Sequence, residues 1–217
     1  MQEELVSLLA ARKGHFRLES GHHGDLWLDL ELLCLRPKRV RPFALELARR
    51  LAEHDVEAVC GPLVEGAFVA LMVATELGAE FSYSAPSAGR QNDALYPVEY
   101  RIPDPLRAEV RGKRVAIVND VINAGSAVRW TFADLKACGA EPVVMGALLV
   151  LGASARAFAA HKDVELESIA SLPNVLWLPS ECPLCAAQVP LEELAAALGL
   201  HAQEGKEPNE ARNQPDL

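Results

Sequence analysis

The chain has 217 residues, 50 % of them apolar, with 21 basic and 30 acidic side chains and a net charge of −9. That is enough apolar material for one domain with a small appendage, and the acidic balance argues against general nucleic-acid binding, which draws its affinity from basic surface. No apolar run reaches membrane-spanning length, no signal-peptide pattern is visible, and the five cysteines are scattered, so a soluble cytoplasmic chain is expected.

In chain order, helical spacing runs from Gln2 to Gly14, followed by short strand-like pieces around a glycine turn over 15–33. An amphipathic helix is predicted over 36–54, a buried strand over 56–63, and a helix over 65–78 that stops at Gly78. Another strand covers 79–84. Residues 85–113 are polar and punctuated by Pro and Gly, and read as a long loop with a strand pair around Ala94–Tyr100. A strand at 114–120, a helix at 125–139 and a strand at 141–152 follow. The remainder reads as a helix at 154–161, a last strand at 174–179, a short helix at 191–199 and a polar tail from 201 to 217. The alternation implies an α/β fold whose mainly parallel sheet is flanked by helices. Ligands of such sheets sit at the carboxyl ends of the strands, where strand order reverses.

One such end is "RVAIVNDVINAGSAVRW", residues 114–130. An apolar strand closes on Asn119 and Asp120. A turn of small residues, Asn123, Ala124, Gly125, Ser126 and Ala127, then leads into a helix. Backbone N–H groups at such a turn cradle an anion, and the helix dipole adds positive potential. The turn is short enough for one phosphate monoester, with Asp120 placed for sugar hydroxyls. Spacing alone leaves open an ordinary strand–turn–helix connection whose Asp and Asn cap the helix. A Walker loop and a dinucleotide fingerprint are both excluded by the glycine and lysine pattern.

The segment "VAIVNDVINAGSA" resembles the phosphoribosyl-pyrophosphate (PRPP) motif of type I phosphoribosyltransferases. "GHFRLESGHHGDLWLDLELL", "CGPLVEGAFVALMVA" and "ECPLCAAQVPLEEL" resemble, in order, the N-terminal hood, the pyrophosphate loop and a C-terminal signature of orotate phosphoribosyltransferases. The resemblance implies the type I phosphoribosyltransferase fold: a hood over 1–36, a core over 37–200 and a tail over 201–217. It implies transfer of phosphoribosyl from PRPP to a nitrogenous base, with Mg²⁺ carried on PRPP, in pyrimidine nucleotide synthesis and in a homodimer. By position, Asn119 and Asp120 would hold the ribose hydroxyls, with Asp120 the catalytic-site acid. Asn123 to Ala127 would hold the 5′-phosphate. Gly61, Pro62, Leu63, Val64, Glu65 and Gly66 would line pyrophosphate, and Trp27 and Leu28 the base.

The basic residues of that family pattern are replaced. Glu19 and Glu65 stand where lysines are usual, Ala85–Pro86 where an Arg–Lys pair is usual, and Ala153 where an orotate-gripping Arg is usual. The mobile loop offers only Arg90 and Gln91, and the first acid of the motif is Asn119. Anionic pyrophosphate facing carboxylates would meet repulsion of a few kcal/mol, roughly, in a partly screened cleft. Two readings follow: a working transferase, in which a second Mg²⁺ near Glu65 could replace the lysines, or a catalytically degenerate relative that binds a nucleoside monophosphate or ribose 5-phosphate.

Cys182 and Cys185 form a single C-x-x-C, whereas a structural zinc site needs four ligands. Cys34, Cys60 and Cys138 make no second pair, and nothing in the spacing of His161 or His201 recommends them. A local turn with reduced thiols is expected, and no resident metal. His22 and His23 read as exposed hood-turn residues, or as one histidine reaching the pocket mouth. Asp25 and Asp29 are expected in hood packing, Trp130 in helix packing, and Arg36, Lys38, Arg39 and Arg41 on a solvated helix face.

Overall fold

The computed structural model describes residues 1–87 and 95–193. Its centre is a sheet built from β3 (Ala58–Pro62), β4 (Glu80–Ser87), β5 (Glu99–Arg101), β6 (Arg114–Ile122), β7 (Glu141–Leu151) and β8 (Glu165–Leu172). The strands lie in the order β5-β4-β3-β6-β7-β8, parallel throughout except for antiparallel β5 at the edge. A smaller sheet orders β2 (His23–Asp29), β1 (Ala10–Arg17) and β9 (Glu192–Glu193). Helices α1 (Gln2–Leu8), α2 (Pro37–Leu51), α3 (Glu65–Leu77), α4 (Asp104–Val110), α5 (Ser126–Ala137), α6 (Ser154–His161) and α7 (Pro183–Ala186) complete the chain. None of the described helices is long and apolar enough to cross a membrane.

The period-two pattern of the central strands divides the core between the two faces. Val59, Ala116 and Val118 point to one face and pack with Phe43, Leu47 and Leu51 of α2 and Val69 and Val73 of α3. Ala58, Cys60, Val115 and Ile117 point to the other, against Val128, Phe132 and Leu135 of α5 and Phe158 of α6. This double burial is why β3, β6 and β7 read as almost continuous apolar runs.

Several expected elements differ from those observed. The predicted helix over 2–14 stops at Leu8, because Ala10–Arg17 pairs antiparallel with β2. Cross-strand ion pairs Lys13–Asp25 and Arg12–Asp29 confirm the pairing, and sheet formation overrides the helical spacing there. Of the strand pair expected around Ala94–Tyr100, the described residues show Glu99–Arg101 as β5, which pairs antiparallel with Ala85–Ser87 of β4 and not within the 94–100 stretch itself, while Ala94 lies outside the described residues. Helix α4 and strand β8 had no predicted counterpart. β8 is a sheet edge carrying Glu165, Glu167 and Ser168, a polar pattern that conceals its strand character. The strand predicted at 174–179 makes a single bridge, Trp177 to His23. Of the predicted helix at 191–199, Glu192–Glu193 bridges to β1, so a hood sheet assigned to 1–36 takes its third strand from the far end of the chain. The rest of that helix, the 201–217 tail, His201, Arg90 and Gln91 lie outside the described residues.

The strand order fixes where a ligand can enter. β3 continues through α3 to β4 on one side, while β6 continues through α5 to β7 on the other. The chains leaving β3 and β6 therefore diverge. The β3–β6 pairing ends at Cys60–Ile117, whereas β6 remains paired with β7 as far as Ile122–Val150. The carboxyl end of β6 is thus bare on its β3 side, and a cleft opens there.

Candidate functional site

A cleft of about 260 Å³ occupies this switch point, roofed by the hood. Its walls include Asn119, Asp120, the Asn123–Ala127 turn, Pro62–Gly66, Trp27 and Leu28. Every residue assigned from sequence to the ribose, the 5′-phosphate, the pyrophosphate or the base is therefore a lining residue except Gly61. Gly61 lies beneath the loop as a packing position: a Cβ there would meet the Ala70 Cβ at 2.5 Å and the Ala67 Cα at 2.7 Å.

The turn after β6 is held open by glycine chemistry and by bracing from behind. Gly125 caps α5 with φ of 82°, a left-handed conformation that side chains resist. Arg129 Nε donates to the Ala124 carbonyl at 3.3 Å, and Ser154 Oγ donates to the same carbonyl at 3.2 Å. The Arg129 guanidinium also rests on Phe158, 4.4 Å from the ring centre. Asn174 Nδ2 donates to Asn123 Oδ1 at 2.9 Å. These contacts engage a carbonyl and a side chain and use none of the turn's backbone N–H groups, which at a helix N-terminus favour an anion.

Asp120 lies at the base of the cleft, 4 % exposed, with Oδ2 lacking any hydrogen-bond partner. The Ser126 hydroxyl is buried and equally unpartnered. Polar atoms left so in a cleft mark places where a ligand completes the bonding. Burial pushes the Asp120 carboxyl up to about 7, the negative charge of Glu65 adds to the rise, and backbone hydrogen bonds oppose it. Asn119 has a different environment: its Nδ2 donates to the Val121 carbonyl at 2.9 Å, and its side chain presses on Gly66, where any Cβ would fall 1.9 Å from Oδ1. Asn119 thus locks the β6 tip to the β3–α3 loop, and Gly66 is required for that approach.

The remaining walls carry negative charge and apolar surface. Glu19, Glu31 and Glu65 line the cleft with Asp120, and no Lys or Arg is among the described lining residues. Tyr100 OH donates to Glu19 Oε2 at 3.0 Å. Burial raises the Glu19 carboxyl above its ordinary range; the Tyr100 bond opposes this, as does the nearby Ser126 hydroxyl, which forms no hydrogen bond of proper geometry. Leu18, Leu26, Leu28, Leu30 and Trp27 make the hood's apolar contribution. Tyr100 and Glu31 were not singled out in the sequence, since one closes a strand expected inside a long loop and the other lies in a hood stretch whose acids carried no pocket signal.

Other singled-out residues lie elsewhere. Neither His22 nor His23 lines the main cleft. His22 sits edge-on to Tyr96 and beside a second hollow with Ala153, Ser154 and Asn174. His23 is not an exposed loop residue: it is buried against Cys185. Trp130 bonds the Tyr96 carbonyl from α5, while Asp25 and Asp29 pair with Lys13 and Arg12 in the hood. Arg36, Lys38, Arg39 and Arg41 are solvent-exposed.

The orotate phosphoribosyltransferase of Thermotoga maritima is 30 % identical over 193 residues, 89 % of this chain and 96 % of that one. The chain belongs to the orotate phosphoribosyltransferase family. The Helicobacter pylori enzyme of the same name is 29 % identical over 84 % of this chain and 92 % of its own. No family model matches the sequence. Among solved structures, the Aeropyrum pernix orotate phosphoribosyltransferase superposes with a TM-score of 0.57 at 22 % identity, covering 76 % of this chain and 89 % of that one. A Trypanosoma brucei adenine phosphoribosyl transferase reaches 0.62 at 15 % identity, over 78 % of each chain. The fold is therefore that of the type I phosphoribosyltransferases.

Proposed function

We propose that the cleft is the active site of an orotate-type phosphoribosyltransferase, acting on PRPP and a nitrogenous base. The observation that carries this reading is the pair of buried, unpartnered atoms, Asp120 Oδ2 and Ser126 Oγ, flanking a braced anion turn at the sheet's switch point. The Asn123–Ala127 amides and Ser126 hold the 5′-phosphate. Asp120 accepts the ribose hydroxyls, and those donors favour its ionised form, offsetting the burial that raises it. Trp27 and Leu28 face the base, and the Pro62–Gly66 loop runs along the pyrophosphate. The bond from C1 to the pyrophosphate oxygen breaks as a base nitrogen bonds C1; pyrophosphate leaves with the electron pair, and the nitrogen's proton is released to solvent. The all-oxygen donor set of Asp120, Glu65, Glu19 and Glu31 suits Mg²⁺, which when bound neutralises the leaving group. Asp120 and Glu65 are the residues we assign to it. The chain is expected to work as a homodimer.

A second reading rests on the same walls. Carboxylates without a lysine or arginine among the described lining residues disfavour a pyrophosphate and leave a nucleoside monophosphate or ribose 5-phosphate as the better ligand. Incubation with PRPP, Mg²⁺ and a panel of bases separates the two. Pyrophosphate release with one base supports transfer. No release with any base, alongside nucleoside monophosphate binding tighter than that of PRPP, establishes the second reading.

A further inference from the structure

Away from the cleft, four potential metal ligands converge from opposite ends of the chain. His15 lies on β1, His23 opens β2, and Cys182 and Cys185 flank and enter α7. One ligand atom from each falls within 4.8 Å of all the others. His15 Nε2 is 3.3 Å from Cys182 Sγ, 3.7 Å from Cys185 Sγ and 3.1 Å from His23 Nδ1. Cys185 Sγ is 3.3 Å from His23 Nδ1. Zn–S bonds of about 2.3 Å and Zn–N bonds of about 2.0–2.1 Å, set tetrahedrally, require N···S edges of about 3.6 Å and an N···N edge of about 3.4 Å. The observed edges scatter around those lengths.

Hydrogen bonding among these groups cannot satisfy them. His15 Nδ1 lies 2.9 Å from the Val189 carbonyl, which can only accept, so Nδ1 carries the proton and a neutral ring presents a lone pair at Nε2. That single lone pair is approached by two thiols and a second imidazole. A cation at the centre would serve all four, and a carbonyl behind a ligating histidine is the usual outer support of such a site. Two thiolates and two neutral imidazoles also cancel the charge of one divalent ion, as a site with three of its four residues buried requires. Cys185, the exposed member, leaves a route of entry.

We infer that His15, His23, Cys182 and Cys185 form a structural Zn²⁺ site that fastens the C-terminal strap to the hood. The strap already pairs with the hood through reciprocal 2.9 Å backbone bonds between Trp177 and His23, and the metal adds a tie just beyond them. Soft sulfur with imidazole in a closed tetrahedron selects zinc over magnesium or calcium. Since β1 leads directly into Leu18–Ser20 of the cleft wall and β2 itself carries Leu26, Trp27 and Leu28 of it, the site holds the roof of the ligand cleft in place.

Elemental analysis of the full-length protein, purified under reducing conditions, reconstituted with Zn²⁺ and dialysed, is expected to find one zinc per chain. Cys185→Ser and His15→Ala should lose it. Replacement by Co²⁺ in the wild-type chain provides a test that does not depend on the variants folding. It should give the intense visible bands of tetrahedral cobalt together with a thiolate charge-transfer band. Stripping the metal should speed amide exchange in 10–29 and 177–189 together. Zinc at trace level after reconstitution, a weak octahedral cobalt spectrum, or full zinc retention by folded Cys185→Ser would each overturn the inference.

Discussion

The two walls of the cleft meet opposite demands. The wall at the end of β6 is made of backbone amides, a hydroxyl and one buried carboxylate, on a turn clamped from behind by Arg129, Ser154 and Asn174. The facing wall, from the hood and the β3–α3 loop, is made of Glu19, Glu31, Glu65 and leucines. The first is prepared for an anion with no lysine or arginine among the described lining residues, because amides and a helix dipole supply the potential. The second repels an anion unless a metal intervenes. Within one cleft, then, recognition of the phosphosugar and tolerance of a pyrophosphate are separable properties carried by different residues. Mutations can be chosen that affect one and spare the other.

The largest effect is expected at Gly125→Val, which breaks the first wall. A β-branched residue at φ 82° is strained by about 1–3 kcal/mol, and its Cβ begins 3.4 Å from Val128 and 3.5 Å from Arg129. The turn must rearrange, and calorimetric titration should show nucleoside monophosphate affinity down by about 100-fold or more, the loss expected when several phosphate bonds go together. Circular dichroism should be unchanged.

Asp120→Asn comes next, and it affects stability and binding in opposite directions. The native carboxyl sits at about 7 against an ordinary 3.8, so between roughly pH 4 and pH 7 the folded chain holds a proton that the unfolded chain has released. Its contribution to stability is complete below the unfolded value and is lost as pH rises through the folded one. Asn carries no such penalty. Denaturant unfolding should find the variant more stable by about 2–4 kcal/mol at about pH 8 and little changed at about pH 4. Ligand affinity should meanwhile fall about 10- to 100-fold, as expected on losing hydrogen bonds to a charged acceptor. A variant destabilised at high pH would contradict the burial argument.

How much of this was legible in advance differs between the walls in the same way. The β6 wall is contiguous in sequence, so an apolar strand, one acid and a small-residue turn announce it. The opposing wall is assembled from four separate stretches, and only folding brings Glu31 and Tyr100 to Glu19 and Glu65. The Cys–His cluster is the extreme case: two histidines on β1 and β2 meet cysteines more than 150 residues later, through a parallel bridge no local pattern encodes. Strand β8 was hidden for another reason, since at the sheet edge Glu165, Glu167 and Ser168 replace the continuous apolar run that marks the central strands. The opening helix was over-extended because Ala and Leu spacing is helical until β2 supplies a partner.

Glu65→Lys tests the second wall. If the loop lies along pyrophosphate, the reversal, measured without Mg²⁺, should raise PRPP affinity about tenfold, about 1.4 kcal/mol at the effective dielectric of a partly open cleft, and leave nucleoside monophosphate affinity nearly unchanged. Equal gains for both ligands would place the phosphate of the monophosphate near Glu65 and reverse the assignment of the walls.

The smallest effect, and the most discriminating, is expected at Arg129→Met. Arg129 bonds the Ala124 carbonyl and the Ser154 hydroxyl and lies on the Phe158 and Tyr96 rings, but it is not a lining residue. Methionine keeps the stem's packing and loses the hydrogen bonds and the cation–π contact, which together contribute about 1–2 kcal/mol. Thermal unfolding should reveal that loss, while ligand affinity falls only about threefold through a looser turn. Because the residue acts from behind the turn, the fall should be the same for PRPP and for a nucleoside monophosphate. A deficit several times larger for PRPP would mean that Arg129 swings into the cleft to meet pyrophosphate, and the division between an anion-ready wall and an anion-averse one would then fail at the residue that braces it.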